Sequence, residues 1–236
     1  MFTYKGINAK TMHLRVLNDI AFESPRRDVE LIQIPGRHGD LVMDKGRFES
    51  VLRSVPCRME APMGENVEGI MSRVNNWLID DGRFHDFEWD NDPDFIYRAK
   101  IEGEVVTQRL LERYGKTEIG FRMHPIKYLR TSLVERQITS GTSMNHPFTV
   151  PAKPIIRIVG SGNLTLNIGG RVLDIRGIAG GCIVDSENQT ITDLTGRVTL
   201  FDRMFSGFPV LVSGNNVVTF SGNFQVFVTP RLGALV

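Results

Sequence analysis

Apolar and polar residues alternate along most of the chain, and this alternation predicts a protein built mainly of β-strands. In the first half the alternating runs are separated by turns rich in glycine, proline and aspartate. Two of these turns are expected at Pro35–Asp40 and Asp44–Gly46. The predicted strands are Phe2–Tyr4, Val29–Ile34, Leu41–Met43, Phe48–Met59, Phe84–Trp89, Phe95–Val106 and Lys116–Met123.

One segment has a helical spacing instead. Its apolar residues recur at intervals of three and four positions, and they are Val67, Ile70, Met71, Val74, Trp77 and Leu78. Asn66 is a suitable N-cap and Gly82 can end the helix, so we predict a helix over about residues 66–80. Because the helix has a single apolar stripe, it should pack on a sheet by one side, with Trp77 in the core.

The last third of the chain alternates in short runs that are divided by glycine turns. Strands at this regular spacing are typical of a β-sandwich. The predicted strands are Ile155–Val159, Leu164–Ile168, Val172–Ile175, Cys182–Asp185, Thr190–Asp193, Val198–Leu200, Val210–Val212, Asn216–Ser221 and Phe224–Thr229.

Charged residues are concentrated in the first part. Residues 1–150 hold 21 Lys and Arg with 22 Asp and Glu, whereas residues 151–236 hold 7 and 5. Between the two parts, Thr139–Pro154 is rich in proline, serine and threonine, which is typical of a connector. The sequence therefore predicts an N-terminal domain over 1–140, a linker over 141–153 and a C-terminal sandwich over 154–236.

The net charge of +1 argues against a protein that coats nucleic acid, because such a protein needs a large excess of positive charge. The N-terminal residues do not resemble an export signal, and no apolar run is long enough to span a membrane. We therefore expect a protein made in a cytoplasm, without a membrane partner. Cys57 and Cys182 are expected to be buried small apolar residues.

No catalytic motif is present, so we expect no enzyme, no cofactor and no metal site. His38 with Asp40, and His85 with Asp86, offer at most two ligands each, and solvated turns are the favoured interpretation. Asp90–Asp94 resembles the start of a calcium loop. However, Phe95 and Ile101 occupy the positions where that loop needs a glycine and a carboxylate. The favoured interpretation is therefore a solvated acidic turn, and the less favoured one is a weak cation site of another type.

The order of several short motifs resembles the distal tail protein (Dit) family of bacteriophages with long non-contractile tails. The resemblance covers nearly the whole chain and does not depend on any single motif. The segments that carry it are Phe2–Lys10 (FTYKGINAK), Leu14–Leu17, Ile20–Phe22, Pro25–Asp28, Val29–Leu41 (VELIQIPGRHGDL), Asp185–Gln189 (DSENQ), Phe208–Leu211 (FPVL) and Gly214–Asn216 (GNN).

The resemblance implies a structural protein of the virion. Members of the family form a hexameric ring at the distal end of the tail tube, where one face meets the tube protein and the other meets a tail tip protein with lysin or fibre functions. DNA passes through the lumen without specific binding. The C-terminal domain is implied to be a galectin-like β-sandwich, which holds receptor-binding proteins in some relatives. Assembly in the host cytoplasm would explain why no export signal is needed.

The resemblance also implies that a hairpin of the N-terminal domain binds the neighbouring subunit. The region Val29–Glu60 is the favoured candidate because it combines a long strand pair with glycine and proline turns, and Phe95–Met123 is the second candidate. The alternative is an ordinary hairpin within one subunit. The candidate interface residues are Ile32, Ile34, Pro35, Gly36, Arg37, Gly39, Leu41 and Phe48.

Two other classes of function remain open at this point. A carbohydrate-binding tail adhesin would recognise a host cell-wall sugar through the C-terminal sandwich, although residues 155–236 leave no room for an inserted sugar-binding module. An enzyme of the tail tip is the third and least favoured class. The expected fold is the same for all three: mainly β, with a β-rich α+β domain that holds one amphipathic helix, followed by a β-sandwich.

Overall fold

The computed structural model describes residues 1–17, 20–79 and 81–236. Its contacts divide these residues into two compact units. The first unit comprises Met1–Lys127 with Leu235–Val236, and the second comprises Tyr128–Ala234. Each unit has its own hydrophobic core. No helix in the described ranges is long and apolar enough to cross a membrane.

Short antiparallel strands make up most of the described chain, as the alternation predicts. Their bounds are β1 Phe2–Tyr4, β2 Ile7–Asn8, β3 Leu14–Val16, β4 Arg27–Ile32, β5 Leu41–Phe48, β6 Val51–Glu60, β7 His85–Trp89, β8 Phe95–Ile101, β9 Val106–Leu111, β10 Tyr114–Met123, β11 Ile126–Leu129, β12 Arg136–Ile138, β13 Thr142–His146, β14 Ile155–Val159, β15 Gly162–Ile168, β16 Arg171–Ile178, β17 Gly181–Asp185, β18 Thr190–Thr192, β19 Gly214–Phe220, β20 Gln225–Thr229 and β21 Gly233–Leu235.

The first unit is built on a main sheet with the strand order β2-β1-β7-β8-β10-β6-β3, and β9 pairs with β10. The longest ladder joins β6 to β10, from Glu60 opposite Tyr114 to Val51 opposite Met123. Successive side chains of β6 point to opposite faces of the sheet, and the residues of one face are buried. The main sheet therefore has one face in the core of the unit.

The single α-helix of the described residues, α1 (Val67–Leu78), covers that face. Its predicted start is confirmed, because the Asn66 side chain accepts a hydrogen bond from the Gly69 N–H at 2.9 Å. The predicted stripe is also confirmed, with Met71 half-buried and the other five residues buried. The helix ends before the predicted position, since Ile79 has an extended ψ of 121°; Asp80 lies outside the described residues.

Aromatic side chains fill the centre of the first core. Phe2, Tyr4, Phe87 and Phe121 are fully buried, and their rings lie 5.0–6.5 Å apart in the pairs that touch. The Trp77 indole N–H donates to the Tyr4 carbonyl at 3.0 Å, so its polar atom is satisfied inside the core. The prediction that Trp77 is a core residue is therefore confirmed.

The second unit consists of two antiparallel sheets, with the orders β12-β20-β14-β17-β18 and β13-β19-β15-β16. Alternate residues of both sheets enter one core, as in Leu164, Leu166 and Ile168 of β15. This arrangement is a β-sandwich. The predicted fold class, mainly β with one amphipathic helix and a C-terminal sandwich, is confirmed.

Several local predictions differ from the structure. The predicted turn at Asp44–Gly46 is wrong: these residues lie inside β5, where the pairing with β4 shifts register at a bulge. The predicted strands Val198–Leu200 and Val210–Val212 form only isolated bridges, at Thr199 and Leu211. Both predicted strands lie in connecting segments, where a single residue pairs with another segment instead of forming a continuous ladder.

The contacts place the division between the two units after Lys127. Residues 128–140 belong to the second unit, and β13, inside the segment predicted as a linker, pairs with β19. The predicted limits of independently folding domains, 1–140 and 154–236 with a linker over 141–153, stay a prediction.

An ion pair between Arg231 and Asp185 should make the stability of the second unit depend on pH. Arg231 Nη1 lies 2.7 Å from Asp185 Oδ1, and both side chains are largely shielded from water. Burial raises the pKa of Asp185, but the hydrogen bonds from Arg231 and Asn188 outweigh it, so the pKa lies below its ordinary value.

A carboxyl group with a lowered folded pKa adds stability above its unfolded pKa, and this stability is lost as the pH falls through the folded pKa. We therefore expect Arg231→Gln to reduce the free energy of unfolding by about 1–3 kcal/mol near neutral pH. The deficit should shrink as the pH falls below the ordinary range of aspartate. Thermal unfolding of the wild-type and Arg231→Gln proteins, from neutral pH to below the ordinary pKa of aspartate, measures this difference in stability. A difference that does not depend on pH would contradict the role of the ion pair.

Candidate functional site

The strands β4 and β5 form a two-stranded sheet of their own, separate from the main sheet of the first unit. The register places Ile32 opposite Leu41, Leu31 opposite Val42 and Val29 opposite Asp44. The root of this hairpin is closed by the Glu49 N–H, which donates to the Arg26 carbonyl at 2.8 Å. We call residues 27–48 the arm.

The arm exposes apolar side chains on both of its faces. Because side chains alternate along a strand, Leu31 and Val42 share one face, and Met43 lies on the other. Leu31 is 59% exposed, Val42 58% and Met43 51%. Burial of apolar area is the main favourable term in protein association, so a strand pair that is apolar on both sides is suited to a protein partner.

Ion pairs within the arm hold its two strands together. Arg27 contacts Asp44 at 2.7 Å, and Arg47 contacts Asp28 at 2.6 Å. The hydrogen bond from Arg47 lowers the pKa of Asp28, and the one from Arg27 lowers the pKa of Asp44. The Gly46 N–H also donates to Asp44 Oδ1 at 2.8 Å, which stabilises the bulge. The arm is therefore ordered by its own polar contacts while its apolar side chains stay exposed.

Glycine and proline shape the tip of the arm. The Arg37 N–H donates to the Ile34 carbonyl at 3.1 Å, which closes a turn with Pro35 and Gly36 at its centre. Gly36 has φ of 84° and Gly39 has φ of 79°. A positive φ at the third position of such a turn requires glycine or asparagine, and proline fits the second position. The sequence IPGRHG thus determines the shape of the tip.

All eight predicted interface residues lie within the arm. The structure brings them into one hairpin: Ile34, Pro35, Gly36, Arg37, Gly39 and Leu41 are exposed at or near the tip, and Ile32 and Phe48 are half-buried. Their predicted role between subunits stays a prediction. The predicted interface does not include Leu31, Val42 and Met43, which are also exposed in the arm. The alternation of side chains that starts at Val29 and at Leu41 is the signal that indicates apolar residues on both faces of the hairpin.

The second candidate hairpin has a different setting. Its strands β8, β9 and β10 belong to the main sheet, where β10 is bonded to β6, β8 and β9. Alternate residues of β10 are buried in the core. This segment is part of the body of the first unit.

Two of the candidate metal ligands, His85 and Asp92, have other partners. His85 Nε2 lies 2.7 Å from Asp81, not paired with Asp86, and Asp92 accepts hydrogen bonds from Tyr97 and from Lys127 at 2.7 Å. In the described ranges, no three His, Cys, Asp or Glu side chains lie close enough together to hold a metal ion. The thiols of Cys57 and Cys182 are buried, as predicted, and burial raises their pKa to about 12 and about 11.

These features define a class of protein: a mainly β chain of two units, with an exposed hairpin arm on the first and a two-sheet sandwich as the second. A phage Dit protein has such a fold. Among solved structures, the chain is similar to the Dit protein (gp 19.1) of phage SPP1, with a TM-score of 0.76 and 15% identity over 96% of this chain and 96% of that one. That protein is described as a paradigm of the hub adsorption apparatus in phages that infect Gram-positive bacteria.

A second solved structure with some likeness is the baseplate of phage p2 in its activated conformation with Sr, at 9% identity over 92% of this chain and 90% of that one, with a TM-score of 0.47. No protein-family model matches the sequence, and no curated protein matches it either. At 15% identity, the likeness to the SPP1 protein establishes the fold.

Proposed function

We propose that this protein is a structural subunit of the adsorption hub at the distal end of a phage tail. It assembles into a homo-hexameric ring, in which the arm of each subunit binds its neighbour. The fold supports the proposal, because the SPP1 protein with the same fold is a hub component. The observation that carries it for this chain is the arm, whose two apolar faces are exposed.

The ring follows from the geometry of such a contact. An arm that binds a surface elsewhere on an identical subunit makes a heterologous interface, and repetition of that interface closes into a ring when the rotation allows it. One face of the ring would bind the tail tube protein and the other a tail tip protein with lysin or fibre functions. The sandwich would be available to receptor-binding proteins, and DNA would pass through the lumen without specific contacts. The protein would act in the virion, after assembly in the host cytoplasm, and without enzymatic activity.

Charged substitutions on the arm test this proposal. We expect Leu31→Glu with Val42→Glu to weaken self-association at least about a hundredfold, because moving an unpaired carboxylate out of water costs several kcal/mol. The melting temperature of the subunit should hardly change, since both side chains are already exposed. Light scattering and native mass spectrometry measure the assembly.

A matched control is available in the sandwich. Val172 and Val217 are also exposed apolar strand residues, at 48% and 44%. Val172→Glu with Val217→Glu should leave the ring intact, as seen by negative-stain electron microscopy. A wild-type protein that stays monomeric at tens of micromolar, alone and with the tube protein, would overturn the proposed hub function.

A further inference from the structure

The main sheet of the first unit has a second face that α1 does not cover. On β6, Val51, Val55 and Met59 point into the core beneath the helix, whereas Leu52 and Ser54 point to the opposite side. On this opposite side Leu52 is 54% exposed. An uncovered sheet face that contains large apolar residues is a candidate surface for a protein partner.

Two adjoining clefts lie on this uncovered face. They have volumes of about 400 and 220 Å³, and Pro56 and Glu118 line both of them. Leu52 lines the larger cleft, and Leu17 and Val106 line the smaller one. We call this pair of clefts, with Leu17, Leu52, Pro56, Val106, Glu102 and Glu118 as its defining residues, the outer cleft.

The outer cleft carries more acid than base. Glu23, Glu102 and Glu118 line it, together with Arg53 in its larger part and Lys116 in its smaller part. Arg122 pairs with Glu102 at 2.6 Å and neutralises that carboxylate. Glu118 accepts a hydrogen bond from the Ser54 hydroxyl but has no ion pair with any described residue. The cleft therefore offers apolar contact next to a carboxylate that forms no ion pair with any described residue.

We propose that the outer cleft receives the tip of the arm (residues 33–41) of a second copy of this chain, with Arg37 of that copy next to Glu118. This inference rests on the proposed ring and names the surface to which the arm binds. The tip has the matching chemistry, because Ile34 and Leu41 are exposed apolar residues and Arg37 has no ion pair with any described residue. A planar guanidinium and a carboxylate can form two parallel hydrogen bonds.

The position of the cleft requires that the tip comes from another copy. Ala21 and Glu23, just before the arm, and Leu52, just after it, line the larger part of the cleft. The cleft thus lies at the root of its own arm. About eight residues separate the root at Arg26 from the turn that begins at Ile34, which is at most about 26 Å. A unit of this size has a radius of gyration of roughly 14 Å, so the tip can reach beyond its own unit.

Disulfide cross-linking between separately prepared proteins tests the contact. One protein carries His38→Cys at the tip and the other carries Leu52→Cys in the cleft, with an affinity tag to distinguish the two masses. Cys57 and Cys182 can stay, since buried thiols with a raised pKa react slowly. After mixing and mild oxidation, we expect a mixed disulfide dimer as the main product. As a control, Asn76→Cys replaces Leu52→Cys, because Asn76 is exposed on the helix side. This protein should give at least about tenfold less mixed disulfide dimer with His38→Cys.

Charge reversal gives an independent readout. Arg37→Glu and Glu118→Arg should each weaken assembly about tenfold, and the two changes in one chain should restore it to within about threefold. A ring that forms in light scattering but gives neither the disulfide nor the rescue would overturn the outer cleft as the binding surface and leave the hub function in place. A wild-type chain that does not assemble at all would instead overturn the hub function itself.

Discussion

A protein that carries Gly36→Val and Gly39→Val together should lose assembly while its units keep their thermal stability. Both glycines have φ near 80°, where a β-branched residue is strained by about 1–2 kcal/mol or more. A Cβ atom at either position would meet no other atom within 4 Å, so the cost is backbone strain alone. The strain should reshape the tip, because β4 and β5 pair with no other strand of the described residues.

Gly36→Asn with Gly39→Asn is the matched control. Asparagine tolerates a positive φ far better than valine does, so this protein should still assemble. Light scattering gives the assembly state, and calorimetry gives the melting temperature. If the valine protein lost melting temperature and assembly to the same degree, the arm would belong to the folding core of the subunit, and its role between subunits would be contradicted.

Replacing Arg53 with methionine should make the isolated subunit more stable, by about 1–3 kcal/mol. Arg53 is 3% exposed, and its Nε and Nη1 atoms have no hydrogen-bond partner among the described residues. Burial lowers the pKa of Arg53, which shows that the fold disfavours its charge. Its guanidinium stacks on the Phe22 ring at 4.6 Å. This cation–π contact stabilises the fold by only about 0.5–2 kcal/mol.

Methionine has a similar length and no polar hydrogen to satisfy, so it removes the desolvation cost and keeps most of the packing. Chemical denaturation measures the free energy of unfolding. Arg58→Met, on the exposed side of the same strand, should change it by less than about 0.5 kcal/mol. A clear loss of stability in Arg53→Met would contradict the view that the unsatisfied Nε and Nη1 atoms destabilise the fold.

The sequence predicts the position of those elements that depend on local residues. The start of α1 follows from the Asn66 cap and the apolar stripe, and both depend on residues within four positions of each other. The turn at Pro35–Gly36 follows from backbone preferences of those two residues. The strands of the sandwich follow from alternation between glycine turns.

Other elements depend on partners distant in the chain. The sequence does not predict β12 and β13, since their polar segments become strands only by pairing with β20 and β19, which lie about 70 to 90 residues further along the chain. The Asp44–Gly46 segment has the composition of a turn, but Arg27 and the ladder with β4 keep it extended as a bulge. In each case a tertiary contact decided between two local conformations.

The sequence by itself determined the strand-rich composition, the single helix and the shape of the arm's tip, because these follow from alternation, capping and turn chemistry over a few residues. Only the tertiary structure decided that the arm stands apart from the main sheet, that α1 covers only one face of that sheet, and that Glu118 lies on the other face without an ion pair to any described residue. The physical reason is that exposure and charge pairing depend on which distant strands become neighbours, and local preferences do not specify those neighbours.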